Sequence, residues 1–187
     1  MSDTVQILGI AGSLRAGSYN RAALRAAGSL VPAGASLSTF GLEDIPPYNQ
    51  DAETTLPPAV SELKRAIRQA DAVLLVTPEY NFSVPGVLKN AIDWASRPAG
   101  DNAWEGKPAA IMGVSSGRFG TTRAQLHLRQ VFVYLDVHCI NKPHVMIGSA
   151  AEAFDTEGTL RDEKARELIR QLLENLVEWT RRLRARH

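Results

Sequence analysis

Residues 72–76 read Ala72-Val73-Leu74-Leu75-Val76, five apolar residues in succession with no polar alternation. A run of strand length that is apolar on both faces belongs in the centre of a parallel sheet, where helices cover both sides. The neighbouring segments supply those helices. On the amino-terminal side, Pro57 and Pro58 suit the opening of a helix, and Val60, Leu63, Ile67 and Ala70 fall near one of its faces. On the other side, a loop over residues 77–84 leads to Pro85 and a helix whose Leu88, Ala91, Ile92 and Ala95 follow the i, i+3, i+4, i+7 spacing.

The same alternation runs along the chain. Residues 5–10 form a short apolar run rich in β-branched residues, followed by a glycine turn and a helical pattern from Asn20, which Pro32 and Gly34 end. Residues 36–40 alternate as a weak second strand. Residues 41–58 contain four prolines and are expected to form a long connection without regular structure. A fourth strand is expected at 109–114 and a helix at 121–135. A proline-interrupted fifth strand region follows at 137–147, and an amphipathic helix from 162 to about 183. Strand and helix thus alternate five times, and parallel strands need crossovers, which are right-handed. The expectation is an α/β, doubly wound, five-stranded parallel sheet of flavodoxin-like order 2-1-3-4-5, a three-layer sandwich forming one domain over residues 1–187.

Composition narrows the function. Of 187 residues, 44% are hydrophobic and 22% charged, which excludes wholesale disorder. Lys and Arg number 21 against 20 for Asp and Glu, and a net charge of +1 is too balanced for a chain built mainly to bind nucleic acid. There is no apolar run of about 18 residues to span a membrane. Asp3 near the start and the lack of a basic, then apolar, leader point to the cytoplasm. Cys139 is the only cysteine, so an intrachain disulfide and a thiolate metal cluster are excluded, and redox chemistry must come from a cofactor. No histidine pair has metal-ligand spacing, and no metal is assigned.

In such sheets ligands sit beyond the carboxyl ends of strands 1, 3 and 4, so three loops decide function. The first, Gly12-Ser13-Leu14-Arg15-Ala16-Gly17-Ser18-Tyr19-Asn20, is neither a dinucleotide fingerprint nor a Walker loop. It combines two hydroxyls, an amide, a cation and a helix amino terminus, a set suited to one phosphate. The plainer alternative is a glycine turn with a Ser or Asn cap. The second, residues 77–86, places Tyr80, Asn81 and Phe82 at a strand end, suited to a planar heterocycle or else to core or dimer packing. Glu79 would be unfavourable beside an electron-rich ring unless backbone amides or a cation hold it. The third, residues 113–121, has small residues that let a ring approach the backbone. Gly113-Val114-Ser115-Ser116-Gly117 also fits the G-x-S-x-G nucleophile elbow, with Asp136 and His138 or His144 as nominal partners. An oxyanion segment is missing from loop one, which weighs against hydrolysis.

Taken together, these motifs resemble the NADPH-dependent FMN reductase family, in particular its chromate/quinone reductase branch. The resemblance runs from about Val5 to Val177. It is carried by Gly12-Ser13-Leu14-Arg15 with Gly17-Ser18-Tyr19-Asn20, by Tyr48-Asn49-Gln50-Asp51, and by Pro78-Glu79-Tyr80-Asn81 through Asp93-Trp94. Trp104-Glu105-Gly106-Lys107-Pro108 and Ser115-Ser116-Gly117-Arg118-Phe119-Gly120 complete it. The resemblance implies a flavodoxin-like fold, FMN as cofactor, NADPH or NADH as cosubstrate, and a homodimer or homotetramer. It implies that Ser13, Arg15, Ser18, Tyr19 and Asn20 hold the FMN phosphate. Pro78, Glu79, Tyr80 and Asn81 would line the isoalloxazine, with Ser115, Ser116 and Gly117 on its other side. Relatives commonly carry a second tyrosine where this chain has Phe82, so Phe82 is not assigned to the site.

The expected reaction passes electrons from NAD(P)H through the flavin N5 to a small-molecule acceptor, such as a quinone, free flavin, azo compound or metal oxyanion. The flavin supplies the chemistry, so no acid or base side chain is assigned to catalysis. Backbone amides would stabilise charge developing on the reduced ring. The rival readings are a non-enzymatic flavodoxin-type carrier, usually far more acidic than this chain, and a serine hydrolase using Ser115. Arg181, Arg182, Arg184 and Arg186 read as cations complementing the carboxyl end of the last helix.

Overall fold

The computed structural model describes residues 4–185; Asp3 and Arg186 lie outside them. Its sheet is built on β1 (Val5–Ala11), β2 (Ala35–Phe40), β3 (Ala72–Val76) and β4 (Pro108–Val114), with two short strands, β5 (His138–Cys139) and β6 (Val145–Ile147). The helices are α1 (Tyr19–Gly28), α2 (Pro58–Gln69), α3 (Gly86–Ala95), α4 (Thr122–Leu135), α5 (Ala150–Ala153) and α6 (Glu163–Arg184). All strand pairs are parallel, and the order β2-β1-β3-β4-β5 is the one the sequence predicts.

Every residue of β3 is buried, as its unbroken apolar run requires. Successive side chains of β1 and β3 divide between two cores because strand side chains alternate. Ile7, Leu74 and Val76 join α1 and α6 on one face, whereas Leu8, Ile10, Val73 and Leu75 join α2, α3 and α4 on the other.

Three details differ from the sequence reading. The fifth strand is two pieces: β5 pairs with Pro108 and Ala109, and β6 pairs with the other end of β4. Pro143, which lacks an N–H, lies in the detour between them. The connection at 41–58 contains a 3-10 turn at Gln50–Thr54, which Asn49 caps through the Asp51 amide. The helix α5 also lacks a periodic signal, being one turn long.

Two of the sequence motifs hold the scaffold. Asn90 and Trp94 of α3 both donate to the Pro46 carbonyl at 2.8 Å, and Asn90 accepts from the Tyr48 amide at 2.7 Å. These bonds fix the long connection against α3. Trp104 is buried and donates to the Ile92 carbonyl at 3.1 Å, fixing the loop before β4. Burial pushes the Cys139 thiol up to about 11, so it stays protonated at neutral pH.

Candidate functional site

The carboxyl ends of β1, β3 and β4 open on one cavity of about 220 Å³. Ser13, Arg15, Ser18, Tyr19 and Asn20 line it from loop one, Pro78, Glu79 and Tyr80 from loop two, and Ser115 and Ser116 from loop three. Of the residues singled out in the sequence, Asn81 and Gly117 do not line it, and Val114, which carried no signal, does.

Loop one is held at its end and open along its length. Ser18 is the amino-terminal cap of α1, accepting from the Asn20 and Arg21 amides at 3.2 and 3.4 Å. The cap reading and the cavity reading therefore both apply to it. Asn20 is buried, and its amide is engaged: it donates to the Val114 carbonyl at 2.8 Å and accepts from the Val114 N–H at 2.9 Å. β3 ends at Val76, opposite Met112, so Asn20 satisfies the backbone of β4 where β3 no longer reaches it. Its oxygen and one amide hydrogen serve the fold first. Among the described residues, the N–H groups of residues 13–17 make no hydrogen bond. Arg15 is exposed, with its guanidinium 5.9 Å from the centre of the Tyr19 ring. The first turn of α1 carries no acid.

Loop two is latched to α4. Glu79 accepts from the Arg123 and Ala124 amides at 2.9 and 3.1 Å and pairs with the Arg123 guanidinium, with 5% of its side chain exposed. Burial pushes its carboxyl up, but the Arg123 hydrogen bond and the two amides outweigh this and hold it below its ordinary value. The carboxylate is thus neutralised by both groups the sequence reading allowed, backbone amides and a cation. Beyond it, Tyr80 and Ser83 exchange backbone bonds around Asn81 and Phe82, which both adopt positive φ, 50° and 63°. Arg123 also stacks 3.6 Å above the centre of the Phe82 ring, and the Ser83 hydroxyl lies 2.9 Å from His127 Nδ1. Arg123 and His127 carry no local sequence signature, since they lie 44 residues from their partners.

Loop three is packed through Gly113. A Cβ there would lie 2.2 Å from the Thr77 carbonyl oxygen and 2.3 Å from Thr121 Oγ1, so only glycine lets β4, loop two and the start of α4 meet. The close approach expected of this loop's small residues is here one between protein segments. Ser115 Oγ accepts from the Gly117 N–H at 3.1 Å. Among the described residues it makes no bond to a histidine, so the elbow motif lacks its general base.

The cavity offers an anion-binding end of hydroxyls, open amides, Arg15 and a helix amino terminus. Its one carboxylate, Glu79, is already paired. That donor set fits a flavin monophosphate. The model of the NADPH-dependent FMN reductases matches residues 5–152. The chain belongs to that family. Within it, a 60% identical relative is an NAD(P)H-dependent FMN reductase of Pseudomonas aeruginosa, aligned over 98% of this chain and all of that one. A quinone reductase of Pseudomonas putida is 44% identical over 99% of this chain and all of its own. Among solved structures, the flavoenzyme NAD(P)H:(acceptor) oxidoreductase FerB of Paracoccus denitrificans superposes with a TM-score of 0.87. It is 36% identical, and the match covers 96% of this chain and 98% of FerB. By family, then, this FMN reductase homologue is an FMN-dependent NAD(P)H oxidoreductase.

Proposed function

We propose that the protein passes electrons from NAD(P)H to quinones or similar small acceptors, acting as a single domain in a cytoplasmic homodimer or homotetramer. The observation that carries this reading is the cavity whose walls are the three loops at the carboxyl ends of β1, β3 and β4, cationic at one end and without a free carboxylate. FMN, when bound, supplies the two-electron chemistry between donor and acceptor.

The chain's own residues bind and orient. Ser13, Ser18 and the open amides of residues 13–17 receive the phosphate, and Arg15 adds charge from the solvent side. Asn20 assists through its place in the wall, since its amide is committed to Val114. Pro78 and Tyr80 from loop two and Ser115 and Ser116 from loop three would bound the space for the ring, with Asn81 and Gly117 shaping the turns behind them. Glu79 acts as a positioning residue, pinning loop two to α4 so that no unpaired negative charge faces the reduced ring. The exposed Leu126, Val133 and Tyr134 of α4 supply a surface for self-association. No helix among the described residues is long and apolar enough to cross a membrane.

The test is the visible spectrum of the purified protein, followed by NADPH and NADH oxidation with and without a quinone. Bound flavin and quinone-stimulated oxidation are expected. Failure to take up FMN would refute the reading, and FMN uptake without nicotinamide oxidation would mark an electron carrier.

A further inference from the structure

Loop three ends in a fixed turn that presents two side chains to solvent. The Gly117 carbonyl accepts from the Gly120 and Ser149 amides at 3.2 and 3.3 Å, and the Thr122 hydroxyl donates to the Phe119 carbonyl at 2.9 Å. A Cβ on Gly148 would lie 2.5 Å from the Arg118 carbonyl oxygen, and one on Gly120, whose φ is 62°, would lie 2.8 Å from that of Met146. The backbone of residues 117–120 is therefore packed against the connection from β6 to α5. Its side chains are not: Phe119 is 65% exposed, and Arg118 is exposed with its guanidinium 5.1 Å from the centre of the Phe119 ring. A phenyl ring held in water on a rigid turn serves no core.

The charge of the three loops singles out Arg118. Each loop has a guanidinium over an aromatic ring: Arg15 over Tyr19, Arg123 over Phe82 and Arg118 over Phe119. Residues 12–20 and 113–121 contain no acid, and Glu79, the one acid of residues 77–86, is paired with Arg123. Arg15 and Arg118 form no ion pair among the described residues. Two cations are thus uncompensated. The proposed FMN phosphate takes Arg15 on loop one, which leaves Arg118 on the loop whose Ser115 and Ser116 bound the ring.

We propose that Arg118 and Phe119 select the electron acceptor, and that the preferred class is a planar quinone carrying a negatively charged substituent. The proposal rests on the quinone-reducing reading above. Phe119 offers an aromatic face to a flat ring, and Arg118 a planar donor fork to a sulfonate, a carboxylate or an ionised hydroxyl on that ring. A metal oxyanion has the charge but no ring for Phe119. A neutral quinone has the ring but nothing for Arg118. The net reaction is unchanged: the quinone gains a hydride equivalent and a solvent proton to become its hydroquinone, NAD(P)H becomes NAD(P)+, and the anionic substituent keeps its charge throughout.

The experiment follows reoxidation of the FMN-loaded, NADPH-reduced protein by stopped flow without oxygen, using 1,4-naphthoquinone, its 2-sulfonate and hexacyanoferrate(III). In wild type the rate constant for the sulfonate should fall severalfold as salt is raised, and that for the parent quinone should not. Arg118→Ala should slow the sulfonate about tenfold and leave the parent quinone unchanged, while Arg118→Lys should keep most of the sulfonate rate because it keeps the charge. Phe119→Ser should slow both quinones and leave hexacyanoferrate(III), which has no ring to stack. Reduction by NADPH and the flavin midpoint potential should be the same in all variants. Equal effects of Arg118→Ala on the two quinones, no effect on either, or a slower NADPH step or shifted potential in that variant would overturn the assignment. So would unchanged quinone rates in Phe119→Ser. Retention of FMN is the check on folding. A wild-type protein that takes up no FMN, or that NADPH does not reduce, would instead refute the underlying function.

Discussion

Loops one and two face each other across the cavity and are anchored by opposite means. Loop one is tied down by a neutral amide, Asn20, buried against Val114, and its residues 13–17 keep their N–H groups open. Loop two is tied down by a charge, the Glu79 carboxylate at the start of α4, and its tip is closed by the Tyr80–Ser83 turn. The difference is the one that the proposed flavin site calls for. A loop that receives an anion keeps its positive groups uncommitted and takes its rigidity from an uncharged bond. A loop beside an electron-rich ring can carry a carboxylate only if the fold has already neutralised it.

The largest expected effect is on the neutral anchor. Asn20→Leu keeps the volume but leaves the N–H and carbonyl of Val114 buried without partners, at about 1–3 kcal/mol for each group. Denaturant unfolding should show that loss at every pH, because nothing in the contact titrates. A variant within about 0.5 kcal/mol of wild type would mean that water or a neighbour replaces the amide.

The ionic anchor should behave differently. Glu79→Gln retains the shape and removes the charge from Arg123 and the two amides, for an expected loss of about 1–3 kcal/mol at neutral pH. The folded carboxyl is held below its ordinary value, so its stabilisation is present above the unfolded value and disappears as pH falls through the folded one. The stability gap between wild type and Glu79→Gln should therefore close on acidification, while the Asn20→Leu gap stays open. Parallel gaps across the acid range would remove the charge from the account of loop two.

Both anchors also mark the limit of what the sequence could disclose. β1, β3 and β4 were legible because burial on both faces leaves unbroken apolar runs, and β3 sets the order of the sheet. The division of residues 137–147 was not, since β5 and β6 pair only two and three residues of β4 each and leave no pattern. Ser13, Arg15 and Ser18 could be read as cavity residues from loop chemistry and position alone. Asn20 suited a phosphate equally well as a residue type. Its partner is 94 residues away, and only tertiary structure gives its amide to Val114. Glu79 posed a charge problem in the sequence, but its solution, Arg123, had no local signature.

Arg15 tests the open side of the comparison. It is exposed and makes no ion pair among the described residues, so Arg15→Ala should leave stability within about 0.5 kcal/mol of wild type. FMN affinity should fall about tenfold, as loss of one charge-assisted contact to phosphate predicts. A fluorescence titration of the flavin-free protein reads this directly. Unchanged affinity would mean that the hydroxyls and backbone amides suffice.

The smallest effect lies at the closed tip of loop two, where two contributions oppose each other. Phe82 holds φ at 63°, a conformation that costs a bulky side chain of order 1–3 kcal/mol, and glycine adopts it freely. Its ring also receives the Arg123 guanidinium at 3.6 Å, a contact worth about 0.5–1 kcal/mol when exposed. Phe82→Ala loses the stack and keeps the backbone conformation, so it should destabilise by about that contact. Phe82→Gly loses the stack and relieves the strain, less the roughly 0.5–1 kcal/mol that glycine's unfolded freedom costs. The glycine variant should therefore match or exceed the alanine variant in denaturant midpoint, the reverse of the order expected at a position with negative φ. Alanine clearly above glycine would mean that the turn relaxes out of the left-handed region once the ring is gone, and that the Arg123 stack holds it there.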